Sequence, residues 1–218
     1  MTEKKTKKQK NKKNALRENI EAIIIAIIIA LFIRTFVIQA FKIPSGSMLD
    51  TLQIGDQILV NKFIYGIRIP FTDGKKLFQF KTPERGNIIV FEYPEDPSKD
   101  FIKRVVAIGG DTIELVRKRL YVNGEPVPYE PYARYADPLS YPSDFPNQSF
   151  ARRDNFPKIT VPENKLFVMG DNRDSSSDSR FWGYVDLKAV EGRALIIYWS
   201  WDKAEFNVRW NRIGDLIR

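Results

Sequence analysis

Histidine and cysteine are both absent from this chain, and the two absences remove most familiar hydrolytic chemistry. Without cysteine there is no disulfide, no thiolate zinc site and no cysteine nucleophile. Without histidine a Ser-His-Asp triad cannot be assembled, and a transition metal would have carboxylates alone as ligands. Long apolar runs are scarce too: one stretch, residues 22–41, reaches membrane length. No regular alternation of helix and strand patterns appears, which argues against a doubly wound sheet.

What is present is unevenly placed. The formal net charge is +8 over 218 residues. Residues 1–21 hold eight Lys/Arg against three Glu, so the remaining chain carries an excess of only three positive charges. A nucleic-acid binder spreads basic charge over its folded domain, so nucleic acid is not expected as a partner. A solvated basic tail before an apolar run instead suits the cytosolic flank of a membrane segment.

Residues 22–41 read AIIIAIIIALFIRTFVIQAF. Twenty residues in a helix span about 30 Å, the thickness of a hydrocarbon core. Ala22 to Ile33 contains no polar residue, so a buried amphipathic helix has no wet face to offer. A cleavable secretory signal is the sharper rival. Arg34 interrupts where its cleavage region would fall, which favours a retained anchor. The expected organisation is a basic cytosolic tail at 1–17, a transmembrane helix at 18–41 and an exported domain at 42–218.

From residue 42 onward the pattern turns strand-like. Segments 57–63, 87–93, 101–108, 112–116, 119–122, 165–169 and 193–201 are rich in β-branched and aromatic residues between turn formers. Asn123-Gly124 is a two-residue hairpin signal. The fold expected is mainly β, an antiparallel sheet domain after a single N-terminal transmembrane helix. Residues 124–162 hold eight of the thirteen prolines and read as an irregular insertion or cap. Its aromatic side chains either pack a small satellite core or form an apolar rim at a lipid surface.

Three segments carry candidate chemistry. In Ile43-Pro44-Ser45-Gly46-Ser47-Met48 a fixed proline and a permissive glycine allow two hydroxyls to project at one point. In Asp100-Phe101-Ile102-Lys103-Arg104-Val105-Val106 strand alternation puts Lys103 and Arg104 on opposite faces. Alternation does not say which cation meets apolar neighbours, but lysine is the better base because burial lowers its pKa readily. An ordinary lysine is neutral about once in 2,500 molecules at pH 7, whereas one near pKa 8 is neutral about a tenth of the time. The third segment, Gly170-Asp171-Asn172-Arg173-Asp174-Ser175-Ser176-Ser177-Asp178-Ser179-Arg180, is dense in side chains that bond backbone. It lacks the ligand spacing of a calcium loop. Ser200-Trp201-Asp202-Lys203 matches a Ser-x-x-Lys pattern, but no Ser-Asp-Asn or Lys-Thr-Gly element accompanies it.

Taken in order, IPSGSM, IGDQILVNKFIYG, FIKRVVAIGGD, LFVMGDNRDSSSDSR and VRWNRIG resemble the boxes of type I signal peptidases, membrane-bound Ser-Lys endopeptidases. The resemblance covers most of residues 34–214. It implies Ser47 as nucleophile, Lys103 as general base, and Ser45 with the Ser47 N–H as oxyanion hole. Ser176 would orient Lys103 through a hydrogen bond. Arg104, Asp171, Asp178 and Arg180 would be structural supports. It further implies cleavage of signal-peptide-bearing preproteins after small residues in an A-x-A pattern, without metal or cofactor, at the outer face of a bacterial cytoplasmic membrane. The lipid bilayer and the export machinery would be its partners. Asp50 stands where a proline is common, and Asn87 where an aspartate is. Two rivals remain at this level: a non-catalytic, membrane-tethered β-domain that binds exported peptides, and a self-cleaving repressor. The repressor would need a DNA-binding helical domain where this chain has its apolar run.

Overall fold

The computed structural model describes residues 2–67, 72, 78, 80–128 and 130–218, and side chains from Arg17 onward. Met1 of the basic tail and Tyr129 of the proline-rich segment lie outside the described residues, as do the tail's side chains up to residue 16. The chain divides into two units, Met1–Ile38 and Gln39–Arg218.

The first unit is one helix, α1 (Thr2–Phe36). Its stretch Arg17–Phe36 is long and apolar enough to cross a membrane, with a mean hydropathy of 2.1. The helix stops five residues short of the expected boundary at 41. Residues Ile38–Lys42 are instead strand β1, at the edge of the large sheet beside β2 (Asp56–Asn61). Val37 and Ile38 are β-branched, which suits extended backbone. Phe41 packs against the buried cluster under β2, so its burial competes with continuing the helix.

The large sheet has the order β1-β2-β11-β3-β4-β9-β10, where β3 is Ile88–Tyr93, β4 Asp96–Ile108, β9 Lys165–Met169, β10 Val185–Asp186 and β11 Val190–Asp202. A short β12 (Asn207–Val208) pairs with the end of β11. A second sheet, β7-β6-β5-β8, is built from β5 (Thr112–Val116), β6 (Arg119–Val122), β7 (Glu125–Pro126) and β8 (Phe156–Thr160). The pairings among strands β2 to β12 are antiparallel, as the alternating sequence pattern requires.

The proline-rich segment is less irregular than its composition suggests. It contributes β7, β8 and a short helix α2 (Gln148–Asp154) capped by the Asn147 side chain. The Asn123-Gly124 turn joins β6 to β7 with φ of 55° and 82°, the hairpin geometry those residues favour. Tyr141 stacks with Phe145 and Phe150 beside α2, and Phe156 enters the core between the sheets. Tyr141 and Phe145 are half-buried in that group and Phe150 is exposed, so of these rings Phe156 alone joins a buried cluster.

Strand β4 organises the rest. Its residues pair with β3 on one side and β9 on the other, with Lys103 opposite Ile89 and Arg104 opposite Ile88 and Met169. Val105 belongs to a buried cluster with Phe91 and Val168, while Val106 and Ala107 join the cluster under β5 and β6. The dipeptide Lys103-Arg104 is therefore embedded between filled cores on a strand with neighbours on both edges. That position fixes both side chains rigidly.

Candidate active site

The Ser45-to-Ser47 turn is anchored on both sides. Downstream, Met48 and Leu52 are fully buried in the cluster under β2 and β11, each contributing about 1.5–3 kcal/mol of burial. Upstream, Ile43 exchanges backbone bonds with Asp56 and Gly55. Ser47 rides half-buried between these anchors, and Ser45 is exposed beside it. Among the described residues the Ser47 N–H donates to no protein acceptor.

Lys103 meets this turn from β4. Its side chain is 4% exposed, and its Nζ lies 2.8 Å from Ser47 Oγ and 3.0 Å from the Ile102 carbonyl oxygen, to which it donates. Burial lowers the amine from 10.5 to about 8, against a weaker upward pull from the Asp178 and Asp171 charges. The ammonium form loses its hydration inside the protein and gains no carboxylate contact in exchange. Neutral Lys103 can accept the Ser47 hydroxyl proton along a contact already at hydrogen-bond length.

The segment from Gly170 to Arg180 closes the back of the site. Asp171 takes two bonds from Arg104, Nε at 2.8 Å and Nη2 at 2.7 Å, and a third from Thr51 Oγ1 at 2.6 Å. Asn172 donates its backbone N–H to the Ser47 carbonyl at 3.1 Å and its side-chain amide to the Gly46 carbonyl at 3.0 Å. Gly170 lets these strands of chain touch: a Cβ there would overlap both Ser176 Oγ and the Ser47 carbonyl oxygen. Asp178 accepts from Arg180 at 2.8 Å through each oxygen and from the Gly170 N–H at 3.1 Å. Burial pushes the Asp178 carboxyl up, but the Arg180 guanidinium and these bonds outweigh it and hold it below the usual carboxylate range.

The expected bond from Ser176 to Lys103 is not made. Ser176 Oγ is buried beside Gly170, where it helps to hold the Asp178 carboxyl low, and the polar neighbours of Lys103 Nζ are Ser47 Oγ and the Ile102 carbonyl. The pairs Arg104–Asp171 and Asp178–Arg180 do form, each with side chains at most 2% exposed. The Ser200-x-x-Lys203 pattern does not assemble: Ser200 is buried against Asp56 while Lys203 is exposed.

Sequence reasoning misses Thr51, Asn172 and Arg173. Asn172 and Arg173 lie inside the GDNRD stretch, but nothing in their residue types separates them from other polar loop residues. Ser45, Ser47, Phe101, Ile102, Lys103 and Asn172 line a cleft of about 480 Å³. Ser47 and Lys103 therefore open onto a space that can hold several residues of extended peptide.

The chain is similar to known proteins over most of its length. The family model described as "Signal peptidase, peptidase S26" matches residues 16–199. Signal peptidase I of Pseudomonas aeruginosa is 40% identical over 191 residues, covering 77% of this chain and 67% of its own length. That of Pseudomonas fluorescens is 38% identical over 206 residues, covering 83% and 72%. A crystal structure of a signal peptidase I from Enterococcus faecalis V583 is 34% identical, covers 52% of this chain and 97% of its own, and has a TM-score of 0.40. With a matched family model over most of its length, and Ser47 and Lys103 in contact at the floor of a cleft, the chain belongs to the signal peptidase family, peptidase S26.

Proposed function

We propose that this peptidase removes signal peptides from exported preproteins by a Ser-Lys mechanism, with Ser47 as nucleophile and Lys103 as general base. The observation that carries the reading is the 2.8 Å approach of a buried, carboxylate-free amine to Ser47 Oγ. Neutral Lys103 takes the Ser47 proton as Oγ bonds to the scissile carbonyl carbon. The resulting oxyanion is met by the Ser47 N–H and the Ser45 hydroxyl. Collapse breaks the C–N bond, and the Lys103 ammonium hands its proton to the leaving amine. Lys103, neutral again, deprotonates the water that attacks the ester, and Ser47 recovers its proton on release.

The substrate lies extended along the cleft, pairing with enzyme backbone as an added strand. Small side chains at the first and third positions before the cut fit beside Phe101 and Ile102, in keeping with an A-x-A preference. Helix α1 serves as a single-pass anchor with its basic end cytosolic, so enzyme and substrate share one bilayer and meet at raised effective concentration. The export machinery would present preproteins at the same surface.

Replacing Ser47 with Ala or Lys103 with Ala is expected to abolish preprotein cleavage by the full chain in detergent or liposomes. Undiminished cleavage by either variant refutes the assignment. Activity should rise with pH through about 8, the value to which burial lowers Lys103, and fall about tenfold per unit below it.

A further inference from the structure

Residues 130–135 lie outside the cleft lining, yet they touch the supports of the nucleophile. Glu130 takes two bonds from Arg173, both at 2.7 Å, and Arg173 is almost wholly buried. The Tyr132 ring lies 3.7 Å from the Arg104 guanidinium, on the cation that clamps Asp171, and the Tyr132 hydroxyl donates to Glu130 at 3.0 Å. Arg134 donates its N–H to the Asp171 carbonyl at 2.7 Å and accepts from the Arg173 N–H at 2.9 Å. Those two bonds bracket Asn172, the residue whose two donors fix the Gly46 and Ser47 carbonyls. The Arg134 side chain also reaches Asp50 at 2.7 Å, three residues beyond Ser47.

These contacts run in one direction mechanically. Asn172 has no apolar side chain to bury, so its position is set by its neighbours' bonds. Arg104 and Thr51 hold the Asp171 carboxylate from one side. Residues 130–134 hold the backbone and Arg173 from the other. We propose that Glu130, Tyr132 and Arg134 are positioning residues for the peptidase reaction, forming a strap that fixes the Asp171-to-Arg173 turn and, through Asn172, the Ser47 backbone against Lys103. This rests on the reading of Ser47 and Lys103 as the reacting pair. The strap touches no reacting atom; it sets the distance and angle at which Ser47 Oγ meets its base, and a 1 Å misplacement there costs up to about a hundredfold.

The test uses the full chain in liposomes with a preprotein substrate. Tyr132→Leu and Glu130→Gln should each lower kcat by about ten- to a hundredfold while KM stays within about twofold. Tyr132→Phe keeps the ring over Arg104 and should restore kcat to within about threefold of the parent. Thermal unfolding identifies variants that remain folded, and Glu130→Gln decides the matter if Tyr132→Leu does not fold. Parental kcat in folded Glu130→Gln, a loss confined to KM, or failure of Tyr132→Phe to recover kcat overturns the strap. Cleavage by Ser47→Ala would instead remove the underlying reading, whatever the strap variants do.

Discussion

Lys103 and Arg104 are neighbours on β4, 4% and 2% exposed, and their surroundings differ in one decisive respect. Arg104 is given a carboxylate: Asp171 bonds it twice, the Gly86 carbonyl takes a third bond at 2.9 Å, and Tyr132 covers its face. Lys103 is given a hydroxyl and a carbonyl, with Asp178 and Asp171 acting only at a distance. Burial with a paired anion makes a strut. Burial without one leaves an amine that can give up its proton near pH 8. Residue type reinforces the split, because guanidinium stays charged under conditions that neutralise a desolvated amine.

Exchanging the chemistry at the lysine should break the comparison most severely. Lys103→Arg keeps a cation near Ser47 but cannot deprotonate, so cleavage at pH 8 should fall by roughly a thousandfold or more; turnover of a preprotein measures it. On the other face, Arg104→Met leaves Asp171 buried without its partner. About 3–5 kcal/mol of stability should be lost by urea unfolding, and much of it recovered when Asp171→Leu removes the stranded charge as well.

The lysine also has a stability signature of opposite sign to a strut's. Its folded pKa of about 8 lies below the ordinary 10.5, so between those values the unfolded chain binds the extra proton and stability rises with pH. Below pH 8 the full cost applies, about 3 kcal/mol for this shift. Lys103→Met should therefore stabilise the domain at pH 7 by up to that amount, and the difference should shrink as pH rises from 8 to 10.5. Unfolding of both proteins across that window checks it. On the pH–rate profile of folded protein the smallest shift is expected from Asp178, whose charge raises the Lys103 pKa. Asp178→Asn should shift the acid limb of the pH–rate profile downward, by about half a unit to one unit.

The difference between the two faces also marks what a sequence can carry. Strands β5, β6 and β9 occupy the expected residues 112–116, 119–122 and 165–169, because alternation and turn residues are local signals. Ser47 and Lys103 are legible for a different reason: excluding histidine leaves few base candidates, and the ordered boxes supply the rest. Which of the two buried cations is paired is not legible, since Asp171 meets Arg104 across 67 residues of chain. The turn joining β5 to β6 carries Arg117 and Lys118 at φ of 47° and 68°, where no glycine advertises it. Its support is tertiary: Arg117 and Lys118 donate backbone N–H groups to Asn155 and Asp154, and Lys118 Nζ reaches Asp174. The end of α1 escapes the sequence because residues 38–41 are apolar enough for a membrane and also fit a sheet edge. The strap residues Glu130, Tyr132 and Arg134 sit in a proline-rich stretch where only the folded contacts reveal their purpose.

The central claim is that Lys103 is largely deprotonated at mildly alkaline pH because it is buried beside Ser47 without a bonded carboxylate. Carbon NMR of the Lys103 Cε, followed through a pH titration of the folded Ser47→Ala chain in micelles, reads that protonation directly. The account predicts a midpoint near 8. A midpoint at about 10 or above, the range of an ordinary lysine, would contradict it.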